Sequence, residues 1–278
     1  MTFAIYNRCT DHLQKERFMP ELPDVEVYRR YINDTSLDKR IESVDVTSQR
    51  ILDEISEQAL QRRLKDHHFV GTTRRGKHLF IETDNNGILI MHFGMTGFVQ
   101  LVEKDGRLPD HTRVSFGFKD NSALAYSCTR LLGKIGWTDD IEDYIGREDL
   151  GPDAHEISLE DFTHALTHGR SSVKAALMNQ GRIAGLGNVY TDEILYQMGI
   201  HPQHPGRELD EPEIDDLYKT MHRVLDVAIR HNAQPGDMPP RYLVPHRFEG
   251  EPCPRCGTEI EKVSTGGRSA YFCPQCQA

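Results

Sequence analysis

The chain has 278 residues, of which 37% are hydrophobic and 27% are charged. This composition is that of an ordinary globular protein, and no apolar run approaches the roughly 18 residues of a membrane-spanning helix. The formal net charge of -10 argues against a nucleic-acid partner, because neutralisation of phosphates drives that binding. The charge is segregated, however, since residues 138–161 hold ten acids and one base, Arg147. A basic surface elsewhere is therefore compatible with the composition.

Residues 1–18 contain neither an apolar core nor a small-residue cleavage site, so we do not expect a signal peptide. We interpret them as an extension or a mis-assigned start of translation. Cys9 and Cys128 are single, and the other four cysteines have the spacing of a zinc site. This cysteine usage favours a reducing cytoplasm.

The part of the chain that follows predicts an α+β fold that begins with a β-sandwich over residues 19–137. A helix is expected over residues 22–32, because proline and acids occupy its first turn and apolar residues share one face. Five short β-branched or aromatic segments then predict mostly antiparallel strands at residues 41–47, 79–83, 88–93, 97–102 and 113–118. The acidic residues 138–157 predict a hinge.

Residues 158–245 predict a helical domain. Ser158 and Asp161 form an N-capping pattern, a second helix covers about residues 172–180, and a third runs from near Gly187 to Met198. A fourth helix follows the pattern Asp210-x-x-Glu213. The glycine-rich residues between the second and third helices allow close approach of a ligand, and the amides at a helix start can bind an anion.

Residues 246–278 predict a zinc ribbon. Two Cys-x-x-Cys pairs supply four thiolates for one structural zinc ion, and their members are Cys253, Cys256, Cys273 and Cys276. The segment between the pairs contains the sequence STGGR, which ends in Arg268. An arginine on a metal-tied hairpin suits a phosphate group.

Three separated motifs together resemble the formamidopyrimidine-DNA glycosylase and endonuclease VIII family of DNA-repair enzymes. They are MPELPDVE at residues 19–26, GLGNVY at residues 185–190 with Glu193 beyond it, and the terminal ribbon. The segments RRGK at residues 74–77 and HFGMTG at residues 92–97 are also similar to that family. The opening PELP is closer to the formamidopyrimidine branch. The resemblance implies a sandwich, a helix-two-turn-helix domain and a zinc ribbon, acting as a monomer on damaged or abasic double-stranded DNA.

The resemblance implies a bifunctional glycosylase and abasic-site lyase that uses an N-terminal proline, Pro20. An N-terminal amine has a pKa of about 7.7 to 8.0, so a useful fraction is neutral and can attack the sugar to form a Schiff base. Glu21 would relay protons. An internal proline has an amide nitrogen and could do none of this. We therefore expect translation to start at Met19 with removal of that methionine. The alternative is a catalytically inactive relative that binds damaged DNA.

Other site residues follow from the same resemblance. Lys77 would hold a phosphate beside the lesion and belongs with the catalytic group. Asn188 and Arg268 would grip phosphates, with Lys174 as a further DNA-facing lysine or an ordinary surface residue.

Three residues are expected to fill the space left by an extruded base, namely Met95, Arg130 and Leu132. The last two lie in the segment YSCTRLLG at residues 126–133, which is expected to form a loop. There Leu132 replaces the aromatic residue usual in the family, and Cys128 and Thr129 replace Asp-Pro.

The proline-rich residues 234–241 do not favour a flexible loop that closes over 8-oxoguanine. We therefore do not assign 8-oxoguanine as the preferred substrate. Ring-opened purines, oxidised pyrimidines and abasic sites all remain open within the expected class of oxidised or ring-opened bases. We expect a cytoplasmic protein that associates with the nucleoid. A third interpretation, a ribbon protein that binds RNA or protein, is favoured only by the acidic balance.

Overall fold

The computed structural model describes residues 19–278, which divide into two compact units. The sandwich unit contains residues 19–20, 31–73 and 79–139, and the helical unit contains residues 21–30, 74–78 and 140–278. The expectation for residues 1–18 lies outside the described part of the chain. None of the helices within residues 19–278 is long and apolar enough to cross a membrane.

The sandwich unit is built on two four-stranded sheets, in agreement with the predicted fold class. The neighbouring strands of the first sheet run antiparallel, as do the strands at residues 88–92 and 134–138 of the second. One sheet has the order β1-β6-β7-β5 and contains β1 (Ile41–Val46), β5 (Gly97–Val102), β6 (Thr112–Phe118) and β7 (Ala123–Cys128). The other has the order β2-β3-β4-β8 and contains β2 (Phe69–Arg75), β3 (His78–Thr83), β4 (Ile88–His92) and β8 (Lys134–Thr138).

Aromatic side chains join the two sheets. The alternation along β6 directs Phe116 and Phe118 to one face, and both contact Phe69 on β2. The ring of Phe69 meets Phe116 edge-on at 5.9 Å and Phe118 at 6.3 Å between centroids. All three rings are almost completely buried. Their contact therefore forms part of the hydrophobic core of the sandwich.

Two helices precede β2 in the chain, one before β1 and one after it. The first, α1 (Leu22–Thr35), begins in the helical unit and ends in the sandwich unit. The second, α2 (Glu57–Leu64), lies wholly in the sandwich unit, where Ser56 caps its N-terminus and buried Leu60 and Leu64 face the core.

The helical unit follows the predicted order of helices. Its helices after α1 are α3 (Ile141–Arg147), α4 (Leu159–Thr167), α5 (Val173–Leu177), α6 (Asn188–Met198) and α7 (Glu211–Arg230). The hydroxyl of Ser158 caps α4 by accepting the amide of Asp161. Asp210 and Glu213 form the reciprocal capping box at the start of α7. The predicted second helix is shorter than expected.

The acidic segment expected to be a hinge contains α3, whose N-terminus is capped by Asp140. Acids in the first turn of a helix are stabilised by its dipole, which explains how Glu142 and Asp143 fit within a helix. The segment also contains Asp153, which is almost completely buried. Residues 138–157 are therefore structured rather than a simple linker.

The zinc ribbon packs against the end of α6. Its strands β9 (Glu261–Thr265) and β10 (Arg268–Phe272) form a two-stranded antiparallel sheet. Tyr196 of α6 lies in a buried cluster with Leu243, Ile260 and two of the ribbon cysteines. The guanidinium of Arg255 stacks 4.2 Å from the Tyr196 ring and donates to its carbonyl. The metal hairpin is thus fixed to the helix that follows the glycine-rich segment.

We predict that Phe69→Ala destabilises the sandwich unit by about 3–5 kcal/mol, because it removes a buried ring with two aromatic partners. Trp137, the one tryptophan of the sequence, lies on β8, so its fluorescence during urea unfolding reports on this unit. The matched control is Val70→Ala on the same strand, where the side chain is 44% exposed. Equal effects of the two substitutions would contradict the assigned core.

Candidate functional site

The carboxylate of Glu21 lies at the N-terminus of α6. Its oxygens accept hydrogen bonds from the amides of Gly187 at 2.8 Å, Val189 at 2.8 Å and Tyr190 at 3.3 Å. The side chain is almost completely buried. Three free amides and the positive end of the helix dipole stabilise a buried anion here. A Cβ on residue 187 would lie 2.4 Å from the Glu21 carboxyl carbon, so the site requires glycine.

The backbone on the C-terminal side of Pro20 is held in place by hydrogen bonds. The Glu21 amide donates to Asp24 Oδ2 at 2.9 Å, and the Leu22 amide donates to the Gly185 carbonyl at 3.1 Å. Gly185 has φ +117°, and a Cβ there would lie 2.6 Å from a methyl group of Leu22. The start of α1 and the glycine-rich segment therefore fix one another. Pro20, immediately before Glu21, is buried.

Asp24 is a titratable group that the sequence indicated only as an acid in a first helical turn. Burial, together with the negative charge of Glu21, raises the pKa of the Asp24 carboxyl to about 7. The hydrogen bond from the Glu21 amide acts in the opposite direction. A carboxyl that gains and loses a proton near neutrality thus lies three residues after Glu21.

Lys77 lies on the turn between β2 and β3, within electrostatic range of the same carboxylates. Burial lowers the pKa of the Lys77 ammonium, and the positive charge of Arg268 lowers it further. Glu21 and Asp24 oppose this shift. The helical unit therefore brings together Glu21, Lys77 and Arg268 from three distant parts of the sequence.

A buried ion pair fixes the turn that carries Lys77. Arg74 donates to Asp153 Oδ2 at 2.5 Å, and the amide of Gly76 donates to the same oxygen at 2.6 Å. Gly76 has φ +56°, and a Cβ there would lie 2.9 Å from the Ala184 side chain. Arg74 is thus a structural residue, although it belongs to the same basic motif as Lys77.

Asn188 and Arg268 are the two predicted phosphate contacts of the helical unit. Asn188 is the first residue of α6, and its Oδ1 has no hydrogen-bond partner among residues 19–278. Arg268 is exposed at the start of β10, after two glycines with positive φ, Gly266 and Gly267. Arg268 can therefore reach a ligand outside the fold, whereas Asn188 Oδ1 is a buried acceptor.

Lys174 does not face the surface, and the expectation that it contacts DNA is wrong. It is completely buried on α5, where its ammonium pairs with Asp192 and donates to the Ser269 carbonyl at 3.1 Å. Burial lowers the pKa of Lys174, and the charge of Asp192 opposes that shift. The side chain serves to connect α5, α6 and the ribbon.

Asp192 is the centre of a charge cluster that the sequence did not reveal. Its second oxygen accepts from Arg247 Nε at 2.9 Å and Nη2 at 2.7 Å, and from the Tyr271 amide at 3.1 Å. Two cations and a main-chain amide thus compensate one completely buried carboxylate. Because Tyr271 belongs to β10, the cluster positions the strand that carries Arg268.

Met95, Arg130 and Leu132 lie on two adjacent loops of the sandwich unit. Met95 is half-buried between β4 and β5, whereas Arg130 and Leu132 are exposed between β7 and β8. The Arg130 amide donates to the Thr96 hydroxyl at 3.1 Å, which ties the loops together. The segment expected as one loop is divided, since residues 126–128 belong to β7. Leu132 is 51% exposed.

The four ribbon cysteines converge on one point. Their sulfur atoms lie within 4.8 Å of one another, with Cys256 at 3.4 Å from Cys273 and 3.5 Å from Cys276. A zinc ion with four Zn–S bonds of about 2.3 Å requires sulfur separations of about 3.8 Å. The cluster therefore fits a single structural zinc, as the spacing predicted.

Three segments of the chain match domains of known protein families. Residues 19–135 match the formamidopyrimidine-DNA glycosylase N-terminal domain, and residues 146–237 match the H2TH domain of the same enzyme. Residues 250–278 match the zinc finger found in FPG and IleRS. The chain therefore belongs to the formamidopyrimidine-DNA glycosylase family, and the resemblance seen in its motifs is confirmed.

Individual relatives are similar over almost the whole chain. The formamidopyrimidine-DNA glycosylases of Synechocystis sp. and Latilactobacillus sakei are 34% and 31% identical, each over 93% of this chain and 98% of theirs. The structure of Lactococcus lactis Fpg with DNA containing an abasic site has a TM-score of 0.83 at 30% identity, covering 92% of this chain and 99% of that one. The complex of wild-type Lactococcus lactis Fpg with N7-benzyl-Fapy-dG DNA has a TM-score of 0.84 at 29% identity, and the match covers 93% of this chain and 99% of that one.

We predict that Asp24→Asn removes a pH-dependent cost of folding. The folded-state pKa of about 7 exceeds the ordinary value of 3.8, so folded protein binds more protons between these values and stability falls as pH rises through that window. The variant should therefore gain stability relative to the parent protein as pH rises from about 5 to 8. Urea unfolding followed by circular dichroism measures this difference.

The matched control for Asp24→Asn is Glu42→Gln, which removes a negative charge at an exposed position on β1. If Asp24 causes this pH dependence, the difference in unfolding free energy from the parent protein should change more between pH 5 and pH 8 for Asp24→Asn than for this control. A difference that is the same at pH 5 and pH 8 would show that burial of Asp24 does not control stability in this range.

Proposed function

We propose that the protein is a bifunctional DNA glycosylase and abasic-site lyase that removes oxidised or ring-opened bases. The observation that carries the proposal is the buried Glu21 carboxylate, held by three amides at the start of α6 directly after Pro20 in the chain. Family membership supports the reaction class. The proposal includes a mature chain that begins at Pro20 through removal of Met19.

The nucleophile in this reaction is the secondary amine of Pro20. Its nitrogen forms a bond to C1′ of the damaged nucleotide while the bond from C1′ to the base breaks, and the base leaves with a proton. The bond from C1′ to the ring oxygen O4′ then breaks as O4′ takes a proton, and the nitrogen lone pair forms the C1′=N bond of an iminium ion. This ion accepts electrons when a proton is lost from C2′. Those electrons expel the 3′ phosphate, so the strand is cut without an external oxidant or reductant.

Glu21 is suited to the accompanying proton transfers. A general acid or base must occupy a fixed position beside the reacting atoms, and three amide hydrogen bonds hold this carboxylate. It receives the proton released by the Pro20 amine, delivers it to O4′ as the sugar ring opens, and accepts the C2′ proton during elimination. Lys77, whose pKa is lowered by burial, binds the phosphate beside the lesion.

The remaining predicted side chains bind DNA from their own units. In the helical unit, Asn188 and Arg268 contact phosphates, which sets the register of the duplex without reading its sequence. In the sandwich unit, Met95, Arg130 and Leu132 fill the space of the extruded base. Lys174 has no role at the DNA surface, because it is completely buried.

The DNA bound in solved structures of relatives supports the substrate class. Lactococcus lactis Fpg has been crystallised with DNA that contains an abasic site, a Fapy-dG lesion or an N7-benzyl-Fapy-dG lesion. We propose that this protein takes damaged or abasic double-stranded DNA in the same way and acts as a monomer. Its proposed location is the cytoplasm, at the nucleoid.

A second function is a damaged-DNA binder without catalytic activity. The observation that favours it is the presence of 18 residues before Met19 in the sequence. If they remain attached, the nitrogen of Pro20 is part of a peptide bond and its lone pair is delocalised. The DNA contacts would persist in such a protein.

Borohydride trapping distinguishes the two functions. We predict that protein beginning at Pro20 forms a covalent adduct with abasic-site DNA in the presence of borohydride, because reduction fixes the iminium bond. Protein beginning at Met1, with the extension retained, should bind the same DNA but form no adduct. Intact mass must confirm the N-terminus of each protein. An adduct confined to the longer protein would overturn the assignment of Pro20.

Salt dependence tests the phosphate contact of Arg268. We predict that Arg268→Ala weakens binding to damaged and undamaged duplexes alike and reduces the slope of log K against log salt concentration by about 1, since one fewer counterion is released. Fluorescence anisotropy at several salt concentrations measures the slope. The control is Lys219→Ala, an exposed lysine on α7 that pairs with Asp215. Equal slopes for Arg268→Ala and the parent protein would rule out the contact.

A further inference from the structure

Arg113 has an unusual position on β6, next to the exposed loop at residues 129–133, which we name the wedge loop. In the pairing of β6 with β7, Thr112 lies opposite Ser127 and Val114 lies opposite Tyr126, so Arg113 has no partner residue. This is the register of a β-bulge. Bulges redirect a side chain out of the regular alternation of a strand. At this bulge the redirected side chain is an arginine.

The guanidinium of Arg113 binds the backbone that leads into the wedge loop. Its Nε donates to the carbonyl of Cys128 at 2.8 Å, and Nη2 contacts the carbonyl of Thr129 at 3.4 Å. The planar fork of donors suits two successive carbonyl oxygens. Nη2 also lies 3.5 Å from Nδ1 of His111, so the 2.8 Å hydrogen bond to the Cys128 carbonyl is the shortest of the three contacts.

The other side of the wedge loop is held by the loop that carries Met95. The Thr96 hydroxyl accepts the Arg130 amide at 3.1 Å. A Cβ on Gly94 would lie 2.4 Å from the carbonyl carbon of Leu132, which shows how closely the two backbones approach. Backbone groups of consecutive residues in the wedge loop are therefore bound by side chains from two neighbouring segments.

The conformation held in this way is one that the loop would not favour alone. Leu131 has φ +54°, a left-handed conformation that is rare for residues other than glycine. The next residue, Leu132, is 51% exposed. Because the left-handed conformation is sterically unfavourable for leucine, contacts from neighbouring segments are needed to hold it.

We propose that Arg113 is a positioning residue, which presents Arg130 and Leu132 to DNA by fixing the carbonyls of residues 128 and 129. The inference rests on the proposed function, because it requires that the wedge loop enters the duplex. Preorganisation lowers the conformational entropy lost on binding. Arg113 thus controls how completely the wedge loop fills the space of the extruded base, next to the base opposite the lesion, without touching DNA itself.

The test uses a duplex with a tetrahydrofuran abasic analogue and 2-aminopurine as the opposite base. Insertion of the wedge loop unstacks the 2-aminopurine and increases its fluorescence. We expect Arg113→Met to reduce this increase at saturating protein and to weaken binding roughly 3- to 10-fold, because the loop must be ordered during association. Arg113→Lys should restore part of the signal, because an ammonium can still donate to one carbonyl.

A double-mutant cycle separates positioning from general stability. If Arg113 acts through the wedge loop, then Arg113→Met should weaken binding less in a Leu132→Ala background than in the parent protein, where both Arg130 and Leu132 remain to be positioned. Additive effects of the two substitutions would overturn the inference. So would an Arg113→Met variant that matches the parent protein in fluorescence and affinity while Leu132→Ala weakens both. Unfolding monitored by Trp137 fluorescence identifies the folded fraction of each variant.

The same experiment distinguishes failure of the inference from failure of the proposed function. The parent protein must bind the abasic duplex more tightly than an undamaged duplex and must increase the 2-aminopurine fluorescence. If it does neither, the proposed function is wrong. If it does both and only Arg113 is without effect, the proposed function stands and Arg113 has no positioning role.

Discussion

The hydrogen bonds between the Glu21 carboxylate and the amides at the start of α6 are the constraint on which the helical unit depends. They join the start of α1 to a glycine-rich segment more than 160 residues away in the chain, where Gly187 leaves room for the carboxylate. A buried carboxylate would be costly without such donors. Because these amides hold Glu21, the residue that follows Pro20 has a fixed position. The hydrogen bonds at the start of α6 therefore restrict where Pro20 can lie.

Two further buried carboxylates organise the surroundings of this constraint. Asp153 binds Arg74 and the amide of Gly76, and thereby holds the turn that carries Lys77. Asp192 binds Lys174, Arg247 and the amide of Tyr271, and thereby connects α6 to the ribbon strand that begins at Arg268. Each buried charge is compensated by cations and amides, as burial requires. The turn that carries Lys77 and the strand that begins at Arg268 are therefore both held by buried ion pairs.

Much of the fold could be predicted from the sequence because its signals are local. The capping residues Ser158 and Asp210 mark helix starts in the sequence and accept the expected amides in the structure. The alternation of residues 113–118 predicted β6, and the cysteine spacing predicted the zinc site. Strand β2 was not predicted, because its polar and glycine-containing sequence lacks a hydrophobic period.

The burial of Lys174 and the bulge at Arg113 were also beyond prediction from the sequence. Each depends on a partner strand or helix elsewhere in the chain.

Peptide mapping of the borohydride-reduced complex with abasic-site DNA is the most direct test of Pro20 as the nucleophile, because it identifies the residue that bonds to the sugar. We expect the N-terminal peptide to carry the added mass of the reduced sugar remnant, at residue Pro20. An adduct on a lysine such as Lys77, with Pro20 unmodified, would contradict it.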